Sequence, residues 1–251
     1  MVQTLTLDGV VQGALLRPER PSGWGVLVIT GSSGRVDLER ARLFAEQGAV
    51  VLAQRWWGGP GQAPGINHIP LEVFQAGVDR LAAEGCERIL MLGTSKGAEA
   101  TLLAATRDHR IDVAVAISPA AVVWQNIGLG LDGEPWPPRS SFTWAGAPLP
   151  FIVYDPRAWP AAGPFPAYRP MFEKSLVTFA EDVPAASIPV EAARAGIILV
   201  AGGADLLWPS LSAARTIAAR LTAHGRAASL IEHPDAGHSP YFPGETRQSE
   251  P

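Results

Sequence analysis

The segment Arg88-Ile89-Leu90-Met91-Leu92-Gly93-Thr94-Ser95-Lys96-Gly97-Ala98-Glu99-Ala100 decides how the rest of the sequence is read. It opens with a short apolar run of strand type, continues as Gly-x-Ser-x-Gly, and passes at once into an Ala/Leu-rich stretch of helical character. In such a strand–turn–helix setting a serine sits on a tight elbow with its hydroxyl lifted above the sheet. Side chains at Gly93 and Gly97 would crowd that turn and the adjoining strand. An ordinary βα turn can carry the same three residues, so the reading rests on finding partners for Ser95.

Upstream, Val26-Leu27-Val28-Ile29-Thr30 and Ala49-Val50-Val51-Leu52-Ala53 are runs of buried-strand type. A helix is expected from about Asp37 to Gln47, with Gly48 as its stop. Another is expected from Pro70 to Ala83, where Leu71, Phe74, Val78 and Leu81 share one face. Residues 3–16 suggest two short edge strands joined near Asp8-Gly9. Downstream, Val113-Ala114-Val115-Ala116-Ile117-Ser118 is a further strand. Strands and helices thus alternate from 26 to 118, the pattern of a mostly parallel central sheet with helices on both faces, an α/β fold. Between about 119 and 190 the alternation fails, and Trp124, Trp136, Trp144 and Trp159 appear among many prolines. This stretch reads as a cap or insertion, or as an aromatic crossover. Alternation returns with a strand at 197–201, a helix from Pro209 to about His224 and a strand at 228–232. The polar tail after Gly244 is expected to fray. The expectation is a single domain over 1–251, with its core at about 24–118 and 191–244.

Composition narrows the function. The 251 residues are 47% hydrophobic and 18% charged, with a formal net charge of −4. That balance, without a basic cluster, argues against a nucleic-acid partner. Cys86 is the only cysteine, which rules out an intrachain disulfide and a cysteine-based metal site. No apolar run has the length of a membrane span, and the first residues lack the pattern of a signal peptide, so a cytoplasmic location is expected. Nothing in the sequence sets an oligomeric state.

A serine hydroxyl needs a base within hydrogen-bonding reach and a third group to hold that base. In this architecture they come from loops after later strands, in the order Ser, Asp, His. Strand 197–201 leads into Gly202-Gly203-Ala204-Asp205, and strand 228–232 into His233-Pro234-Asp235-Ala236-Gly237-His238. Ser95, Asp205 and His238 are therefore the candidate triad. Asp235 is a rival acid, only three residues from His238, and an Asp205 that merely caps the next helix is the bland alternative. His109 and His224 sit near helix ends, His233 closes its strand, and His68 lies in a Gly/Pro loop. For the oxyanion the backbone N–H of Lys96 is one expected donor. Ser32, in the loop after strand 26–30, is the second, with Ser33 beside it. Trp56, Trp57, Trp124 and Trp208 are candidate substrate contacts, with Ser33 as a further one; packing beneath a loop is the alternative for the tryptophans. Lys96 and Glu99, three apart on a helix, read as an ordinary i,i+3 pair worth a few tenths of a kcal/mol. No metal or cofactor is expected.

The chain resembles the C-terminal catalytic domain of the acyl-CoA thioester hydrolase and bile acid-CoA:amino acid N-acyltransferase family over about residues 24–244. The carrying stretches are Gly93-Thr94-Ser95-Lys96-Gly97-Ala98-Glu99, Gly202-Gly203-Ala204-Asp205-Leu206-Leu207-Trp208-Pro209-Ser210 and Gly237-His238-Ser239-Pro240-Tyr241-Phe242-Pro243. The resemblance implies an α/β-hydrolase fold, a Ser95–Asp205–His238 triad and chemistry on acyl thioesters or related activated acyl groups. The family's amino-acid transferases use a cysteine nucleophile, whereas Ser95 matches its hydrolases. Where relatives show a Gly-rich oxyanion loop and two consecutive acids, this sequence has Gly-Ser-Ser-Gly and Ala204-Asp205. The leading expectation is a serine hydrolase working through an acyl-enzyme, a thioesterase acting on a small-molecule thioester or ester. Alternatives are transfer of the acyl group to an amine or alcohol, ring closure, a carboxylesterase or dienelactone-hydrolase type of reaction, or a non-catalytic scaffold on the same fold.

Overall fold

The two-sided burial of the β-branched runs dictates the architecture. In a computed structural model describing residues 1–160 and 167–245, Val26 and Val28 point to one face of the sheet, and Leu27 and Ile29 to the other. Val51 and Ala53 oppose Val50 and Leu52 in the same way. With period-2 alternation and both faces apolar, such strands need cover on each side.

In chain order the elements are β1 (Val2–Asp8), β2 (Gln12–Pro18), β3 (Trp24–Ile29), α1 (Leu38–Glu46), β4 (Val50–Arg55), β5 (Ile69–Pro70), α2 (Glu72–Ala83), β6 (Arg88–Thr94), α3 (Lys96–Ala105), β7 (Ile111–Ile117), β8 (Phe142–Trp144), β9 (Ala147–Pro148), α4 (Arg169–Thr178), α5 (Val183–Ala186), β10 (Gly196–Gly202), α6 (Ser210–Ala223) and β11 (Ala228–His233). The main sheet has eight strands in the order β1-β2-β4-β3-β6-β7-β10-β11. From β4 to β11 every neighbouring pair is parallel. Strand β2 is antiparallel to both β1 and β4, so only β1 of the expected edge pair lies at the edge. Ala41 and Ala45 of α1 cover one face, while α2, α3 and α6 cover the other through Phe74, Val78, Leu102, Ile217 and Leu221. The arrangement is the α/β-hydrolase fold.

Strand order reverses around β3 and β6. The chain leaves β3 for β4 on one side, and β6 sends it to β7 on the other. Loops at the carboxyl ends of such diverging strands open a crevice suited to ligands. Ser95 and the loop from Gly31 lie there.

Between β7 and β10 the chain builds little regular structure of its own. Strands β8 and β9 join β5 in a small second sheet, and isolated bridges tie Ile66 to Ile127, Val122 to Ser187 and Trp124 to Ile152. Trp124, Ile152, Met171, Phe172 and Trp208 form its separate apolar cluster. No helix among the described residues is long and apolar enough to cross a membrane. The tail predicted to fray after Gly244 begins differently: Glu245 is ion-paired to Arg40, and the rest lies outside the described residues.

Candidate active site

Ser95 has φ 59° and ψ −124°, a conformation that costs a non-glycine residue of the order of 1–3 kcal/mol. The surroundings impose it. Its N–H donates to Ile117 O at 2.9 Å, and its carbonyl accepts from Ala98 and Glu99 as α3 begins. A Cβ on Gly97 would come within 2.6 Å of Thr30 O, and one on Gly93 would overlap the Gly97 carbonyl. The elbow therefore closes only with glycine at both positions.

The loop after β3 lies directly against it. A Cβ on Gly31 would fall 2.9 Å from Ser95 Cβ and 3.3 Å from Lys96 N. Lys96, as the first residue of α3, has a backbone N–H with no acceptor inside the helix. Ser32 and Ser33 follow, both exposed, with Ser33 Oγ accepting from Arg35 N at 3.5 Å. Two indoles brace this loop from below: Trp56 Nε1 donates to Thr30 O at 2.9 Å, and Trp57 Nε1 to Gly31 O at 3.3 Å. Trp56 is only 2% exposed and stacks on Phe142. Trp124 is buried as well.

Asp205 is fully buried on the loop after β10. Its Oδ1 accepts from the N–H groups of Leu207 (2.9 Å) and Trp208 (3.2 Å), and its Oδ2 from Ser210 Oγ at 2.6 Å. That same Oδ2 lies 2.8 Å from His238 Nδ1. Burial pushes the carboxyl pKa up, but hydrogen bonds and charge from His238, Ser210 and Trp208 outweigh it and hold it below the ordinary value. A carboxylate partner makes Nδ1 the protonated nitrogen and leaves Nε2 as the basic one. The rival acid, Asp235, is exposed.

His238 is held at its backbone by Ser118, whose hydroxyl donates to His238 O at 2.6 Å. Ser118 O in turn accepts from Trp208 Nε1 at 3.0 Å, and the Trp208 ring meets the imidazole edge-on at 5.7 Å between centroids. Trp208 thus supports the histidine from the buried side. It also lines a cleft of about 310 Å³, together with Pro119, Val122, Trp124, Leu176 and Val183. Ser118 escaped sequence reading; its one signal was a polar residue closing an apolar strand, next to Pro119.

The i,i+3 pair is a correction. Lys96 Nζ meets Glu99 Oε2 at 2.7 Å with both side chains buried, and Glu99 Oε1 accepts from Trp124 N at 3.1 Å. The ammonium also lies 5.4 Å from the Phe142 ring centroid. The segment between β7 and β10, through Trp124 and Phe142, closes over the pair. Burial drives the Lys96 pKa down and that of Glu99 up, against their mutual attraction.

The remaining histidines take no part in this constellation. His224 caps α6 and contacts Arg220 O, His233 ends β11, and His109 lies in the turn after α3. His68 is half-buried at φ 53°, its pKa lowered by burial and by Arg139. Among the described residues no group of three or more His, Cys, Asp or Glu is gathered as a metal site requires.

The family model described as "BAAT / Acyl-CoA thioester hydrolase C terminal" matches residues 69–250. Human acyl-coenzyme A thioesterase 1 is 29% identical over 251 residues, covering 94% of this chain and 54% of the relative. Human mitochondrial acyl-coenzyme A thioesterase 2 is also 29% identical, covering 94% of this chain and 47% of the relative. The chain spans about half the length of these curated relatives. Among solved structures, an esterase from Pyrococcus furiosus aligns with a TM-score of 0.57 at 18% identity, over 95% of this chain and 83% of that one. A puromycin-hydrolyzing peptidase from Mycobacterium tuberculosis aligns with a TM-score of 0.61 at 16% identity, over 95% and 36%. At these identities the structural likeness speaks for the fold alone.

Proposed function

The chain belongs to the BAAT / acyl-CoA thioester hydrolase C-terminal family, and from that premise we propose that it is a serine hydrolase of acyl thioesters working through an acyl–Ser95 intermediate. One observation carries the reading: a buried carboxylate grips His238 Nδ1 at 2.8 Å, on loops at the same sheet edge as the strained Ser95 elbow. That leaves an oriented Nε2 as the base such a nucleophile requires.

In the proposed sequence Ser95 Oγ attacks the thioester carbonyl while His238 Nε2 takes its proton. The oxyanion is met by the N–H groups of Lys96 and Ser32, two donors fixed in place before charge develops. Collapse of the tetrahedral intermediate breaks the carbon–sulfur bond, and His238 returns the proton to the departing thiolate. A water then gives a proton to His238, attacks the acyl-enzyme and frees the acid, with the proton passing back to Ser95. Asp205 stays ionised and holds the ring.

Treatment with a fluorophosphonate probe, followed by turnover of acyl-CoA and p-nitrophenyl esters of graded chain length, tests the reading. Labelling of the wild type, none of Ser95→Ala, and faster turnover of thioesters are the expected results. A folded wild type that neither labels nor turns over any substrate would overturn it.

A further inference from the structure

We propose that Arg40 and Glu245 form a clamp that fixes His238 relative to Ser95, acting as positioning residues; this rests on the hydrolase reading above. Arg40 stands on α1, away from the site loops, yet its side chain is 10% exposed and that of Glu245 5%. Its guanidinium spends all three nitrogens. Nε donates to Glu245 Oε1 at 2.5 Å, Nη2 to Oε2 at 3.0 Å, and Nη1 to Thr94 Oγ1 at 2.9 Å.

Each partner adjoins the site. Thr94 immediately precedes Ser95. Glu245 ends the strap Ser239-Pro240-Tyr241-Phe242-Pro243-Gly244-Glu245 that leaves His238, and two prolines restrict its path. The strap is fastened further by Phe242, which donates its N–H to Glu245 Oε2 at 2.8 Å and lies under the Arg40 guanidinium at 4.9 Å. Phe242 also packs edge-on against Phe44 of α1. At the near end Ser118 holds the His238 carbonyl. The strap carrying the base is therefore pinned at both ends, and one planar cation ties its far end to the strand that delivers the nucleophile.

A salt bridge that merely anchored a tail would have no use for the arm to Thr94. Arginine's rigid fork fits both acceptors at once, which a lysine ammonium on a flexible stem does not. Misplacing reacting groups by about 1 Å can cost on the order of a hundredfold in rate, so a strap freed at one end reads out as slow chemistry.

The test compares full-length wild type, Glu245→Gln, Thr94→Val and Ser95→Ala by rate of fluorophosphonate labelling and by kcat and KM on a short-chain p-nitrophenyl ester. Glu245→Gln should slow labelling and kcat by about tenfold or more with KM within about twofold, because the chemistry and not the binding pocket is disturbed. Thr94→Val, which keeps shape and leaves the ion pair, should slow labelling by about threefold, and it decides the matter if Glu245→Gln fails to fold. Wild-type labelling rates in the folded variants, or a raised KM at unchanged kcat, would overturn the clamp. An unlabelled wild type would instead overturn the hydrolase reading itself.

Discussion

Lys96 and Glu99 touch at 2.7 Å, and His238 and Asp205 at 2.8 Å, both at the carboxyl edge of the same sheet. Their surroundings differ. The first pair sits within one helical turn at 1% and 0% exposure, enclosed by Trp124, whose N–H donates to Glu99 Oε1, and by the ring of Phe142. The second spans two loops, leaves His238 13% exposed, and among the described residues engages the ring through Nδ1 alone. The contrast shows that proximity of charge to a nucleophile does not make a proton relay. A relay needs a group with an unspent valence facing the reacting atom. A pair enclosed away from the reacting atom holds structure, and here it ties the segment carrying Trp124 to the residue that follows Ser95.

The largest expected effect comes from the pair with the free valence. His238→Ala should lower kcat/KM on its preferred acyl thioester by about 10³-fold or more, several kcal/mol of transition-state stabilisation, at a stability cost of no more than about 1–3 kcal/mol, since Asp205 keeps its bonds from Leu207, Trp208 and Ser210. Turnover together with a urea melt checks both halves. Near-normal turnover in a folded variant would remove the relay from this pair and dissolve the comparison.

The opposite profile is expected on the other side. Glu99→Gln keeps the acceptor for Trp124 N but strands the Lys96 ammonium in an apolar setting, which should cost about 3–5 kcal/mol of stability. Adding Lys96→Met should restore most of the loss, since no charge is then left buried without a partner. Urea denaturation of the single and double variants measures this. Glu99→Gln with wild-type stability and a collapsed kcat would mean that the buried pair takes part in catalysis.

Sequence patterns exposed one of these pairs and misjudged the other, for a physical reason. Parallel strands buried on both faces must be apolar runs, so β3, β4, β6, β7 and β10 stood out, while the exposed edge strand β11 was marked by its place after the last helix; position at the carboxyl ends of these strands singled out Ser95, Asp205 and His238. Helical spacing, by contrast, shows that Lys96 and Glu99 are neighbours but not what lies over them. Trp124 and Phe142 arrive from 25 and 46 residues or so downstream, in a segment whose short strands and isolated bridges exist only through long-range contacts. The same limit hid Ser118 under His238, and Arg40, whose partner is 205 residues away. What repeats locally was legible; what is assembled from distant loops was not.

A smaller effect concerns pH. Asp205 has its pKa depressed in the folded chain, through the bonds from His238, Ser210 and Trp208 outweighing burial. The sign follows from linkage: its contribution to stability is complete above the unfolded value of about 4 and is lost as pH falls through the lower folded value. Ser210→Ala removes one of those bonds, so the difference in unfolding free energy between wild type and variant should shrink as pH drops below about 4. A difference that stays constant between neutral pH and that range would assign the Ser210 contact to packing alone.

The smallest effect supplies the reference for the whole comparison. Arg169 and Glu173 on α4 form a helical ion pair at 2.8 Å, the same chemistry as Lys96 and Glu99, but with side chains 37% and 48% exposed. Water screens both charges, the side chains give up rotamer freedom to meet, and the order of cation before anion is the less favourable one along a helix. Glu173→Gln should therefore shift the unfolding free energy by no more than about 0.5 kcal/mol. Arg169 keeps its second contact, to Gly203 O, in that variant, so the measurement isolates the pair. Set against the several kcal/mol expected for Glu99→Gln, the ratio measures what enclosure by Trp124 and Phe142 does to one and the same kind of contact. Equal values for the two substitutions would show that enclosure is not what separates them.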